Sequence, residues 1–199
     1  PEGPADTSSS NSGLARCRAG DLEATFLTTA DGIQLVSLWD VGTESPLATN
    51  GAPLFSLVVR ETASGEERTL TAVAGWREAS LRRSQGGLRF RWNRPADEAV
   101  AGLSVRANAR LDASESMIRW TFRVDNRCPD WSVRRVIFPQ LDLVDLGDEG
   151  CVFFTRGPGE VQRGVWRRDF RYRGNYPDGW CAMQFLAAYR EGASPTGLY

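Results

Sequence analysis

The chain has 199 residues, of which 41% are hydrophobic and 25% charged, and its formal net charge is −1. This composition indicates a globular protein with a substantial core and excludes a mainly disordered chain. A near-neutral balance lacks the positive field of a general nucleic-acid or anionic-membrane binder, so we expect neither kind of partner.

The basic residues are of one type only. All 24 of them are arginine, and the sequence contains neither lysine nor histidine. Composition therefore excludes a histidine general base, a Ser-His-Asp or Cys-His arrangement, and histidine metal ligands. It likewise excludes a Schiff-base lysine and a P-loop lysine.

The four cysteines, Cys17, Cys128, Cys151 and Cys181, do not form a C-x-x-C pair. We therefore expect no structural zinc site, and the sequence leaves open which of three disulfide pairings, if any, forms. Cys151 and Cys181 stand in apolar runs, which predicts that they are small buried residues. No run approaches the roughly 20 apolar residues of a membrane span.

Residues 1–13 are rich in Pro, Ser, Gly and Asp, and they are predicted to be a disordered leader or linker. The remainder, residues 14–199, is predicted to be one β-domain. Short strands are expected at residues 21–26 and 33–39 around an Ala-Asp-Gly turn, followed by a long loop at 40–53.

Alternation of apolar residues with arginines predicts three neighbouring strands at residues 88–92, 103–111 and 117–124. Because side chains alternate between the faces of a strand, these segments indicate an antiparallel sheet with one buried face. The opposite face would carry Arg89, Arg91, Arg106, Arg110, Arg119 and Arg123. A solvated face is the favoured interpretation; the alternative is a surface that recognises carboxylates or docks an acidic partner.

Four carboxylates lie within eight residues at 142–149, between predicted strands at 133–138 and 151–155. Oxygen ligands of this kind suit calcium, but the spacing is not that of an EF-hand loop. We favour a solvated strand end and turn, and expect no metal and no cofactor.

Residues 156–173 hold six arginines interleaved with Trp166, Phe170 and Tyr172. Such interleaving occurs in nucleic-acid binders, but the charge balance and the lack of a binding motif argue against that. A contact with another domain is favoured, since Trp, Tyr and Arg are enriched in interfaces. Plain loop packing and a sugar contact remain open.

Residues 174–189 combine turn chemistry, Asn-Tyr-Pro-Asp-Gly, with an apolar run from Trp180 to Tyr189. The length of the run suits a strand covered on both faces. Gln184 would then need hydrogen-bond partners. The alternative is that the turn and its aromatic residues form a contact surface for a sugar or a neighbouring domain.

The run Tyr-Pro-Asp-Gly-Trp-Cys-Ala-Met-Gln-Phe at residues 176–185, then Ala188-Tyr189 and Gly197-Leu198-Tyr199, carries a family resemblance. It resembles the N-terminal β-sandwich of bacterial glycoside hydrolases of the α-galactosidase-like and endo-α-N-acetylgalactosaminidase-like type. The resemblance implies a galactose-mutarotase-like supersandwich that precedes a catalytic (β/α)8 barrel. Both catalytic carboxylates of those enzymes lie on the barrel, so no catalytic residue is carried over to this chain.

The expected fold is all-β, an antiparallel two-layer β-sandwich that is incomplete at its C-terminus, because residues 197–199 read as the start of a strand. Candidate ligand-binding or domain-contact residues are Trp166, Arg173, Tyr176 and Trp180.

The expected function is a non-catalytic sandwich of a glycoside hydrolase, with a glycan and the barrel of the same chain as partners. The alternatives are a stand-alone carbohydrate-binding module and a purely structural interaction domain. The sequence leaves the compartment open, although polysaccharide breakdown would favour an exported protein.

Overall fold

The computed structural model describes residues 13–171, 181–192 and 196–199. Within them the fold is all-β, as predicted, with two single-turn 3-10 helices at Glu98–Val100 and Val165–Arg167. The strands in chain order are β1 (Gly13–Ala19), β2 (Leu22–Thr28), β3 (Ile33–Asp40), β4 (Ser45–Thr49), β5 (Ser56–Glu61), β6 (Glu67–Thr71), β7 (Trp76–Ser84), β8 (Gly87–Pro95), β9 (Leu103–Asp112), β10 (Met117–Asn126), β11 (Trp131–Ile137), β12 (Asp142–Leu143), β13 (Gly150–Arg156), β14 (Glu160–Arg163), β15 (Cys181–Arg190) and β16 (Thr196–Leu198). In the described parts of the chain no helix is long and apolar enough to cross a membrane.

The described strands form four sheets. Their strand orders are β1-β2-β3-β4-β12, β10-β9-β8-β7, β11-β5-β6 and β14-β13-β15-β16. Pairing is antiparallel throughout the β7–β10 sheet, the sheet of β5, β6 and β11, and the β13–β16 sheet. Most neighbours are consecutive in sequence, which is the arrangement that short hairpin connections produce.

The chain divides into two compact units. Of the described residues, 13–38 and 49–142 belong to the first unit, and 39–48 together with those from 143 onward belong to the second. The first unit holds the β7–β10 sheet and the sheet of β5, β6 and β11, and the second holds the β13–β16 sheet.

Aromatic rings fill the core of the first unit. Phe26 of β2 meets Phe90 of β8 edge-on, with ring centroids 5.0 Å apart, and Phe55 meets Trp92 at 4.9 Å. The indole N–H of Trp92 donates to the carbonyl of Ala72 over 2.8 Å, so the polar atom of this fully buried ring is satisfied. Edge-to-face pairs of this kind add about 0.5–1.5 kcal/mol each beyond their area burial.

The predicted central sheet is confirmed: β8, β9 and β10 are adjacent antiparallel strands. In β8 and β9 the arginines are exposed and the apolar residues are buried, except that Leu111 near the end of β9 is half-buried. In β10 the arginines are exposed too, but Trp120 and Phe122 are only half-buried. The period-two pattern therefore assigned the faces correctly and overstated how deeply β10 is covered.

Two segments form strands that were not predicted from the sequence. The predicted loop at 40–53 is wrong, because it contains β4, in which Leu47 and Ala48 are buried. Only two apolar residues mark this strand in the sequence, and the glycine, proline and asparagine residues around them favour a loop. The segment is a strand because it pairs with neighbouring strands. Residues 14–19, not assigned to an element, form most of β1.

The apolar run near the C-terminus is a strand, β15, as predicted. The prediction that this strand is covered on both faces is wrong for residues 184–186. Gln184 is exposed and needs no buried partner, while Phe185 and Leu186 are 41% and 56% exposed. β15 is hydrogen-bonded on both edges, to β13 and β16. A continuous apolar run thus marks a strand inside a sheet here, without reporting what covers the faces of that sheet.

Candidate functional site

Trp166 lies in the 3-10 turn that follows β14 in the second unit. Gly164, with φ of +60°, turns the chain into it, a conformation that glycine adopts without strain. The indole packs on Gly150, where an added Cβ would lie 2.6 Å from indole Cε3, so only glycine leaves room for the ring. Trp166 remains half-buried, and part of its ring is therefore available for contact.

Arg167 is held by two carboxylates from the acidic segment. It donates to Asp145 over 2.7 Å and also to Asp148. The hydrogen bond from Arg167, followed by one from the Gly147 N–H, lowers the pKa of Asp145. The four acidic residues at 142–149, for which a calcium site was considered, are exposed, and Arg167 is hydrogen-bonded to two of them. Among the described residues there is no group of side chains that could hold a metal ion.

Arg168 and Phe170 orient each other. The guanidinium carbon of Arg168 stands 5.4 Å from the centroid of the Phe170 ring, within cation–π range, and Arg168 also donates to Gln162 on β14. Phe170 lies 6.5 Å from Phe154 of β13, which is buried. We call residues 166–170 the aromatic–arginine rim, since two half-buried rings flank two oriented guanidinium groups there.

A second group, the exposed aromatic cluster, consists of Phe153, Phe185 and Tyr199 on the β13–β16 sheet. Ring centroids are 5.8 Å apart for Phe153 and Phe185, and 6.1 Å apart for Phe185 and Tyr199. Phe185 is 41% exposed and Tyr199 is 76% exposed. This cluster was not predicted, because it depends on the strand register. The register pairs Phe153 with Ala187 and thereby puts Phe153 and Phe185 on one face of the sheet.

Of the four predicted contact residues, the structure places only Trp166. Arg173, Tyr176 and Trp180 lie outside the described residues, as does the turn at 174–179. Their grouping with Trp166 on one surface therefore stays a prediction.

The cysteines that the structure describes are free thiols. Burial raises the pKa of Cys17 and of Cys151, and at Cys151 the neighbouring Glu191 adds to the effect. Thiols with raised pKa values are poor nucleophiles at neutral pH. The predicted burial of Cys151 is confirmed, and the side chain of Cys181 lies outside the described residues.

Every carboxyl group of the described residues with a shifted pKa has it shifted downward: Asp40, Asp112, Asp125, Asp145 and Glu191. A hydrogen bond from an arginine side chain is the largest cause at Asp125, Asp145 and Glu191, and one from the Ser114 hydroxyl is the largest at Asp112. At Asp40 burial would raise the pKa, and hydrogen bonds from Thr43 and Thr196 outweigh it. These five groups stay ionised at neutral pH, the opposite of what a general acid requires.

Fold and site together define an all-β protein whose second unit carries half-buried aromatic rings and exposed arginines side by side. No protein-family model matches the chain, and no curated protein matches it either.

Proposed function

We propose that this chain is a non-catalytic β-domain of a glycoside hydrolase, which braces the catalytic barrel and lends a loop to the rim of its glycan site. The residues that carry this proposal by resemblance are those at 176–185, and the described surfaces of the second unit fit the two roles. The proposal extends to the finer fold, a two-layer sandwich of the galactose-mutarotase-like type, and to a glycan and the barrel as partners.

The observation that carries the bracing role is the exposed aromatic cluster. Two large rings, Phe185 and Tyr199, are exposed on one face of the sheet, with their centroids 6.1 Å apart. Exposed apolar side chains grouped in this way favour contact with another protein surface over solvent. Aromatic residues are also enriched in the buried centres of interfaces.

The aromatic–arginine rim supports the glycan contact. A sugar offers C–H groups, which pack on an aromatic face, and hydroxyls, which accept from guanidinium N–H groups. Trp166 supplies a half-buried ring, and Arg167 and Arg168 are already oriented by Asp145, Asp148 and Phe170. Preorganised groups lose less side-chain entropy when a ligand binds.

Composition and electrostatics support a role without catalysis. Glycosidases pair an ionised carboxylate with a protonated one whose pKa is raised. The surroundings shift carboxyl pKa values in the opposite direction at five described positions. A stand-alone carbohydrate-binding module is the second candidate. It is favoured because the arginines of the aromatic–arginine rim are oriented by residues of the same unit and need no other domain.

Isothermal titration of the 199-residue chain with raffinose, which carries galactose, tests the glycan contact; maltotriose, which does not, is the comparison ligand. We expect Trp166→Ala to weaken raffinose binding by about 10- to 100-fold, the scale of aromatic stacking on a ligand ring. Trp39→Ala is the matched control, because Trp39 is a 40% exposed tryptophan elsewhere in the same unit.

Equal losses in the two variants, or raffinose binding that Trp166→Ala leaves intact, would contradict the rim as the glycan contact. The two candidate functions are separated by the gene beyond Tyr199. A barrel with paired carboxylates encoded there supports the bracing role, and its absence supports the binding module.

A further inference from the structure

The outer face of the β7–β10 sheet in the first unit is strongly charged. Seven exposed arginines project from it, and we call it the arginine face. They are Arg82, Arg89, Arg91, Arg106, Arg110, Arg119 and Arg123. Three carboxylates share the face, Glu78, Asp112 and Asp125, and Glu78 is ion-paired over 2.9 Å with an eighth exposed arginine, Arg94 of β8. The net charge is therefore about +5, from eight positive and three negative groups.

The register sets these arginines directly opposite one another. Arg91, Arg106 and Arg123 form one continuous row across β8, β9 and β10. Arg82 stands opposite Arg89, and Arg110 stands opposite Arg119. Directly opposed side chains in a sheet lie about 4.5–5.5 Å apart at Cβ, and like charges in such pairs are destabilising.

Intramolecular carboxylates compensate only part of this charge. Asp125 accepts from Arg106 and from Arg123, the latter over 2.8 Å, and these bonds lower its pKa. Asp112 lies 3.8 Å from Arg119. Within the described residues Arg82, Arg89, Arg91 and Arg110 form no ion pair, so four guanidinium forks are open to an external anion.

The remaining side chains on the face show what else a ligand would meet. They include Ser80, Ser104, Asn108 and Thr121, which are hydroxyl and amide groups, and the amide of Asn108 donates to the hydroxyl of Thr121 over 3.0 Å. In these four strands, all of which the structure describes, no aromatic ring lies on this face. Single-stranded nucleic acids bind chiefly through bases stacked on such rings, so this surface suits a different polyanion.

We infer that the arginine face binds an acidic polysaccharide. Carboxylate or sulfate groups of the glycan accept paired hydrogen bonds from the guanidinium forks, and its hydroxyls bond the amide and hydroxyl side chains between them. The arginines form a grid with spacings of about 4.8 Å between strands and 6.8 Å along a strand, which suits an extended chain with repeated charges. The protein as a whole has a net charge of −1, so it exerts no general attraction on a polyanion and binding depends on the local charge of this face.

This inference does not depend on the proposed function. The arginine face lies in the first unit, whereas the aromatic–arginine rim and the exposed aromatic cluster lie in the second. Raffinose and maltotriose carry no charge, so failure of the rim experiment would leave the present inference untouched, and the reverse also holds.

Fluorescence anisotropy with labelled heparin and labelled polygalacturonate tests the inference on the 199-residue chain. We expect both to bind, and the triple variant Arg89→Gln/Arg91→Gln/Arg110→Gln to weaken binding about tenfold or more, since three guanidinium contacts are lost. The matched control is Arg60→Gln/Arg134→Gln/Arg135→Gln. It removes the same charge from three exposed arginines of β5 and β11, and should change the affinity less than about twofold. The polymer that binds more tightly identifies sulfate or carboxylate as the preferred group.

A second variant tests the inference by a gain of affinity. Asp125 occupies Arg106 and Arg123 as an internal competitor. Asp125→Asn should therefore tighten heparin binding about two- to fivefold by freeing both guanidinium groups. An unchanged or weaker affinity in this variant contradicts the competition and the inference with it.

Three further outcomes overturn the assignment. Equal loss in the two triple variants would show attraction to charge anywhere on the protein. Single-stranded DNA that binds as tightly as heparin, with the same dependence on the arginine face, would identify nucleic acid as the ligand. Poly-glutamate that binds more tightly than both glycans would identify an acidic protein partner.

Discussion

At the scale of single residues, the carboxylate of Asp40 connects two segments that are far apart in sequence. Its carboxylate accepts from the Thr43 N–H over 3.1 Å and from the Thr196 hydroxyl over 3.2 Å. Thr196 is buried and stands opposite Arg190 in the last hairpin. The bond therefore joins residues 156 positions apart within the second unit, and together with the other bonds it keeps the pKa of Asp40 low despite partial burial.

Thr196→Val should raise the pKa of Asp40 and destabilise the protein at pH 7 by about 0.5–1.5 kcal/mol, the range for one hydrogen bond. Because the folded-state pKa of Asp40 is lowered, its contribution is present above the unfolded-state pKa and is lost as the pH falls through the folded-state value. Wild type and variant should therefore converge in stability as the pH falls through the folded-state pKa of Asp40.

Urea denaturation between pH 7 and pH 2.5, with NMR titration of Asp40, measures both effects. Thr49→Val is the control, since Thr49 bonds Asp142 over 3.1 Å and should leave the pKa of Asp40 unchanged. A stability difference that stays constant across this pH range would contradict the role of the Asp40 carboxylate.

At the scale of elements, the β7–β10 sheet has a well-packed inner face and an outer face on which arginines stand directly opposite one another. Phe90 and Trp92 are buried on one side of β8, while Arg89 and Arg91 are exposed on the other. Packing on the inner face fixes the register, because a slip of one residue would turn every arginine inward. The same register forces arginines into directly opposed positions outside.

Arg91→Thr should raise the free energy of unfolding by about 0.2–1 kcal/mol, because it removes a like charge opposite Arg106 and adds a β-branched residue. Arg106→Thr is the comparison and should stabilise less, since Arg106 is also hydrogen-bonded to Asp125. Denaturation at low and at 0.5 M salt measures the difference, which should shrink as salt screens the repulsion. If Arg91→Thr destabilises the protein at low salt, the opposed arginines are not a source of repulsion.

At the scale of the whole molecule, the two compact units differ in how much core they contain. The largest fully buried side chains, Trp76, Trp92 and Phe26 among them, belong to the first unit. The second unit buries smaller sets around Leu47, Leu146 and Phe154. Since hydrophobic burial is the main stabilising contribution, the two units should open at different free energies.

Hydrogen exchange should therefore be slower in the β7–β10 sheet than in the β13–β16 sheet, by at least about tenfold in rate, or 1.4 kcal/mol in opening free energy. Exchange followed by mass spectrometry at two pH values measures this and checks that exchange reports on opening equilibria. Uniform protection across both sheets would indicate one cooperative unit instead.

The sequence by itself determined the strands whose two faces differ. In β8 and β9 every second residue is apolar and its neighbours are arginine, serine or asparagine, so each residue's environment is encoded locally. The same local logic identified β10 and the strand character of β15. It also excluded histidine and lysine chemistry, since composition alone decides that.

Only the tertiary structure decided the features that depend on neighbours. β4 becomes a strand through pairing, β15 is exposed at residues 184–186, and Arg167 meets Asp145 across 22 positions. The row of Arg91, Arg106 and Arg123 likewise exists only once the register of β8, β9 and β10 is set. Periodicity reports which face of a strand is buried, whereas the partners of that face and of each edge follow from non-local packing and hydrogen bonding.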